Sequence, residues 1–144
     1  MPKPQPVPDG FHTVTPYLVV DDAGKLIEFL AAAFSGSLRY AHRRPDGKVA
    51  HAEVLVGNSI VMMASAQSDA KPTPTSLYLY VPDCDTVYRR ALAAGGVGVS
   101  EPKDQLYGDR HGAVKDPGGN TWWIATHIED VSEQELARRM AALA

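Results

Sequence analysis

Residues 15–33 read TPYLVVDDAGKLIEFLAAA, and residues 76–94 read SLYLYVPDCDTVYRRALAA. Laid on one another at a constant offset of 61, they share Tyr17/Tyr78, Leu18/Leu79, Val20/Val81, Asp22/Asp83, Ala32/Ala93 and Ala33/Ala94. Each stretch opens with a β-branched and aromatic run and passes an aspartate suited to cap a helix. Apolar residues at helical spacing follow: Leu26, Ile27, Leu30, Ala33 and Phe34 in the first, Val87, Ala91, Leu92 and Ala94 in the second. Strand followed by helix is therefore written twice.

Working outward, Ser35-Gly36 ends the first helix, and strands are predicted over 37–44, 48–56 and 59–64, joined by Pro45-Asp46-Gly47 and Gly57-Asn58. After Gly95-Gly96 the second copy continues with strands near 97–101, 110–115 and 121–127. GNSIVMMA at Gly57 matches GNTWWIAT at Gly119 with one residue of slippage. The predicted fold is α+β, one domain over 1–144 made of two tandem βαβββ modules, about 12–66 and 75–127, whose curved mixed sheets surround a central cavity. Phe11–Val20 is read as the first strand, preceded by an arm, Met1–Gly10, that carries four prolines and lies over the surface. Residues 65–75 form a polar connection, and an amphipathic helix over 132–142 sets Leu136 and Met140 against Glu133, Glu135, Arg138 and Arg139.

Composition narrows the partners. Charged residues make up 22% of the chain and the formal net charge is −3, so long-range electrostatics favours neither nucleic acid nor a membrane surface. Cys84 stands alone, which leaves no internal disulfide, and the N-terminus lacks the apolar stretch of a secretion signal, so a cytoplasmic protein is expected. No apolar run approaches the ~20 residues of a membrane helix.

Strand alternation sorts the faces. Leu18, Val20, Leu77, Leu79 and Val81 go to the helices, while Thr15, Tyr17, Val19, Ser76, Tyr78 and Tyr80 go to the hollow, an aromatic and hydroxylic lining suited to a small organic ligand. Of the adjacent Trp122 and Trp123, Trp123 is assigned inward, where its ring serves either as core or as a stacking platform. Val61 is placed on the same inner face, and Met63, which shares it, supplies soft contact.

The stretches TPYLVVDDAGKLIEFLAAAF, PDGKVAHAEVLVGNSIVMMA and YGDRHGAVKDPGGNTWWIATHIEDVS resemble the vicinal oxygen chelate superfamily of glyoxalase I, extradiol dioxygenases and bleomycin-binding proteins, within it the PhnB-like branch. The resemblance implies metal ligands, in the members that use them, at positions matching Thr15, Val61, Ser76 and Trp123. None of these is a usual ligand, so neither metal nor other cofactor is expected. Relatives often pair, which implies a homodimer.

Other groups are weighed one by one. His51 and Glu53, two apart on a strand, share a face and suit either a base with its orienting partner or an ion pair that fixes packing. Arg110 offers a donor fork to a ligand carboxylate or phosphate, or a salt bridge to Asp109 or Asp116. His127 reads as a satisfied surface or hinge histidine, Cys84 as a buried structural thiol, and Asp116–Asn120 as a turn. The leading expectation is a metal-free protein that binds a small, partly aromatic molecule, in its most concrete form by sequestering an antibiotic or metabolite. The rivals are a lyase, isomerase or dioxygenase working through His51 and Glu53, and a non-catalytic interaction module.

Overall fold

Two aspartates start the two main helices. Asp22, extended at φ −138°, accepts the Gly24 amide at 2.9 Å and opens α1 (Ala23–Phe34); Asp83, at φ −142°, accepts the Thr86 amide at 3.2 Å and opens α2 (Cys84–Ala93). Each such cap is worth about 1 kcal/mol. In the computed structural model, which describes residues 3–144, β1 (Tyr17–Val20) precedes α1 and β2 (Ser37–Arg43), β3 (Val49–Val56) and β4 (Ser59–Ser65) follow it. The second half repeats the order with β5 (Ser76–Tyr80), α2, β6 (Val97–Asp104), β7 (Asp109–Lys115) and β8 (Thr121–His127), and α3 (Glu133–Ala141) closes the chain. Met1 and Pro2 of the expected arm lie outside the described residues.

The strands form two four-stranded mixed sheets, ordered β1-β4-β3-β2 and β5-β8-β7-β6. In each, the first strand runs parallel to the last and the remaining pairs are antiparallel. This is the expected α+β architecture of two tandem modules. Tyr17 lies opposite Met62 and Tyr78 opposite Trp123, so the offset of 61 runs unbroken through the last strands. The apparent slippage arises in the turns: Gly57-Asn58 alone joins β3 to β4, whereas five residues, 116–120, join β7 to β8.

That register corrects two assignments. Val61 is paired with Val54, and Met63 with Leu18 and Ala52, which turns both toward the helices, where they are buried. The residue equivalent to Trp123 is Met62. The first strand is also shorter than expected, because Phe11–Pro16 run as an irregular segment.

The helix-bearing faces of both sheets share one core. Leu18, Val20, Leu26, Leu30, Val54 and Met63 from the first half join Tyr88, Ala91, Val114 and Ile124 from the second, and Phe34 meets Trp122 across the join with ring centroids 5.0 Å apart. Burying each large side chain contributes roughly 1.5–3 kcal/mol. Gly118 is required at this join, because a Cβ there would overlap the Val20 side chain. Beside the join a cleft of about 600 Å³ is lined by Pro16, Val61, Leu77, Leu79 and Trp122, with the edge of β5 at Tyr78 and Tyr80. On the opposite, concave faces Tyr17, Tyr40, Tyr78 and Tyr80 are all exposed. Among the described residues no helix is long and apolar enough to cross a membrane.

Candidate functional site

On the first concave face, the register aligns Tyr17, Met62, Glu53 and Tyr40 in one row across four strands. His51, two residues before Glu53, bonds it through Nε2 at 3.2 Å and stacks with Tyr17 at 6.0 Å. The expected pair therefore forms on the concave side. This face is partly covered by the chain's own N-terminal segment. Pro6, Val7, Pro8, Phe11, His12 and Thr13 arch over Glu53 and Met62 with Thr15 to leave about 510 Å³. Beneath the same segment Ile60 is only 3% exposed. The Thr15 hydroxyl is turned back on the His12 carbonyl at 3.0 Å.

The second concave face is built around a buried carboxylate. Tyr78 and Tyr80 on β5, Trp123, Ala125 and His127 on β8, and Asp109, His111 and Ala113 on β7 share this side by alternation and register. Asp109, 3% exposed, accepts the Tyr78 and Tyr80 hydroxyls on Oδ2 at 2.8 and 2.9 Å, while His127 Nδ1 lies 2.9 Å from Oδ1. His127 Nε2 reaches Asp130 at 2.7 Å, and Tyr107 brings its hydroxyl to 3.3 Å from that of Tyr78. Ring centroids of Tyr78 and Tyr80 are 5.2 Å apart, and those of His111 and Trp123 also 5.2 Å. Ser76, exposed at the start of β5, completes the row.

Electrostatics follows from these bonds. Burial disfavours charge on Asp109, but the bonds from His127, Tyr78 and Tyr80 outweigh it and hold the carboxyl below its ordinary range. Asp130 first, then Asp109, raise His127 toward its protonated form. Burial, followed by the bonds to Tyr107 and Asp109, pushes the Tyr78 phenol well above its usual value, and the Asp109 bond followed by burial does the same for Tyr80. Both phenols stay neutral, with their protons directed at Asp109.

One loop glycine positions this cluster. Gly108 sits at φ +102°, and a Cβ on it would collide with the Glu129 carbonyl, while its own carbonyl accepts the Ile128 and Glu129 amides at 2.8 and 3.0 Å. The Tyr107-Gly108-Asp109 turn is thereby fastened to the segment that follows His127.

Several expectations change. Arg110 points to the other side of the sheet, forking onto Asp85 at 2.8 and 3.0 Å and onto Asp104 at 3.0 Å, so it faces neither the hollow nor Asp109. Val61 and Met63 leave the concave lining for the reasons of register given above, and Met62 takes their place. Cys84 is buried as read. Asp116 is a turn anchor, accepting from the Gly118 and Asn120 amides and from Trp122 Nε1 at 2.8 Å. Asp109, Tyr107 and the site role of His127 were missed. Period-two alternation extended from Trp123 to His127, and from Asp109 to His111, carries that signal.

Corrected for register, the positions implied for metal ligands hold Thr15, Met62, Ser76 and Trp123. Two hydroxyls, a thioether and an indole are a poor set for a divalent ion. Among the described residues no three His, Cys, Asp or Glu side chains form a group that could hold one.

The sequence pattern of the Glyoxalase/Bleomycin resistance protein/Dioxygenase superfamily matches residues 10–124. An uncharacterised protein of Mycobacterium bovis is 33% identical over 140 residues, covering 90% of this chain and 92% of its own. Among solved structures, TioX from Micromonospora sp. ML1 superposes with a TM-score of 0.68 at 24% identity, covering 81% of this chain and 99% of its own. A Bacillus cereus PhnB protein, described as a putative 3-demethylubiquinone-9 3-methyltransferase, gives 0.64 at 20% identity, with 80% and 99% covered. The repeated modules, their mixed sheets and this match over most of the chain place the protein in the glyoxalase/bleomycin resistance protein/dioxygenase superfamily.

Proposed function

We propose that the chain is a binding protein of the PhnB-like branch that holds a small organic molecule on its tyrosine-bearing concave faces without a metal, as a cytoplasmic homodimer. The observation that carries the reading is the second face, where Tyr78, Tyr80 and Trp123 stand exposed or half-buried over a buried Asp109 that fixes the two tyrosine hydroxyls. Exposed aromatic surface on a rigid sheet with a few oriented polar groups is the composition of a ligand site. Tyr17, His51, Glu53, Met62, Thr15 and Ser76 extend the lining. Branch placement is supported by the run YGDRHGAVKDPGGNTWWIATHIEDVS and by the likeness to the Bacillus cereus PhnB protein. Pairing is supported by the exposed Leu38 and Tyr40 on β2 and by α3, whose Met140 is exposed.

A thermal-shift screen with metals, thiols and planar aromatic antibiotics tests the reading, because a ligand of the folded state raises its stability by mass action. The expected hit is a planar organic molecule whose effect disappears in Trp123→Ala. Stoichiometric metal in protein purified without chelators would remove the reading. The second reading, an enzyme of the same superfamily, is favoured by His51 and Glu53 at 3.2 Å, a base with its orienting carboxylate.

A further inference from the structure

The hydroxyl protons of the second concave face are already committed. A phenol has one proton, and Tyr78 and Tyr80 both give theirs to Asp109 Oδ2. The contact between Tyr78 and Tyr107 at 3.3 Å must then be a donation from Tyr107. Tyr80 and Tyr107 are left with oxygen lone pairs facing outward and no proton to offer, so the rim is acceptor-only. A ligand carbonyl or carboxylate meets repulsion there, and a ligand N–H or O–H meets a partner.

The charges point the same way. With Asp109 and Asp130 each holding one nitrogen of His127, a protonated imidazole lies between two carboxylates and the cluster carries one net negative charge. Of the basic side chains nearby, Arg110 is spent on Asp85 and Asp104 on the reverse side and Arg139 on Glu129 and Glu135, while Lys103, opposite His111, and Lys115, opposite Thr121, share this face at exposed positions where water screens them from the buried Asp109. The faces of Tyr78, Tyr80 and Trp123 add the negative side of their ring quadrupoles. Together with these rings, His111 makes a continuous aromatic wall, and its Nδ1 is enclosed there with no protein partner.

We infer that this face selects a planar organic cation, an aromatic ring bearing a protonated amine or amidine, stacked on the Tyr78–Trp123 wall with its N–H groups on the hydroxyl oxygens of Tyr80 and Tyr107. The inference rests on the reading of this face as the ligand site and adds the ligand's chemical class.

The full chain, labelled with ¹⁵N, is titrated by NMR with three molecules of one bicyclic shape: 1-naphthylmethylammonium, 1-naphthalenemethanol and 1-naphthoate. The expected result is shifts at the Trp123 indole N–H and the Ala113 and Ala125 amides, with the ammonium binding about tenfold tighter than the alcohol and the carboxylate weakest. In Tyr80→Phe, an exposed position, the ammonium should fall to the level of the alcohol. Naphthoate binding at these resonances as tightly as the ammonium overturns the cation preference and leaves the face a ligand site. If none of the three moves these resonances, the reading of the face fails as well.

Discussion

The two halves of this chain carry one scaffold and two different concave surfaces. In the first, Glu53 and Met62 are roofed by Pro6–Thr13 while Tyr17 stays exposed, and His51 satisfies Glu53 at 3.2 Å. In the second, Tyr78, Trp123, Ala113 and His111 stand at the equivalent registers, but among the described residues no such strap crosses them and a carboxylate lies underneath. Duplication preserved the side that touches the helices, where Leu18 and Leu79 or Val61 and Trp122 do the same packing. It left the concave side free to diverge, because a residue facing solvent or ligand is not held by the shared core. Aromatic residues and a buried charge accumulated on one copy, and a covering strap on the other.

The sharpest way to break that contrast is to remove the charge. Asp109→Ala leaves two phenols and an imidazole without their acceptor, and the expected cost is about 2–4 kcal/mol, read as a lower urea midpoint. Glu53→Gln in the first half, where one partly exposed bond is lost, should cost under about 1 kcal/mol. Equal losses would mean that the second face is no more tightly organised than the first. A smaller effect separates two hairpin glycines. Gly108→Ala must both adopt φ +102° and push away the Glu129 carbonyl, for roughly 2–3 kcal/mol, whereas Gly47→Ala at φ +89° meets nothing within 4 Å and should cost about 1 kcal/mol. Far-ultraviolet thermal melts of the two variants measure the difference.

How much of this was legible in the sequence follows from what each feature depends on. The repeat, the helix caps at Asp22 and Asp83 and the placement of Tyr17, Tyr78, Tyr80 and Trp123 on the faces away from the helices are local or periodic, although the tyrosines stand exposed on two separate faces and not inside one hollow. The Val61 and Met63 assignments failed because the GN match borrowed a register from turns of different length, and a shift of one residue moves every side chain to the opposite face. Arg110 failed for a related reason. It does form salt bridges, but not with Asp109 or Asp116: Asp104 on the neighbouring strand accepts it, and Asp85, 25 residues away, reaches it only because α2 packs over β7. Asp109 with His127 was recoverable from alternation, but its energetic weight depends on burial, which a single sequence does not carry.

The strap offers a subtler test of the same contrast. Deleting residues 1–13 should expose Ile60 and the Glu53–Met62 row while leaving both sheets intact, at a cost of about 1 kcal/mol. The expected outcome is that naphthyl probes, silent toward Met62 in the full chain, now shift the Met62 and Glu53 amides in the NMR spectrum. A truncated chain whose first face remains silent would show that its side chains, and not the covering segment, keep ligands away.

The smallest expected effect is a pH slope that belongs to the second half alone. His127 is raised above its ordinary value by Asp130 and Asp109, so its contribution to stability is fully present below about pH 6.5 and is lost as pH rises through its folded value. Asp109 is lowered, so its contribution is present above about pH 3.9 and disappears as pH falls through its folded value. The two overlap between about pH 4 and 6.5, where the cluster should be most stabilising. The difference in urea midpoint between the native chain and His127→Gln isolates this from the other four histidines. It should be widest across that window and shrink toward alkaline pH. A difference that stays flat from about pH 5 to 9 would mean that His127 is not held protonated between its two carboxylates. The charge count that distinguishes this face would then change from one net negative to two.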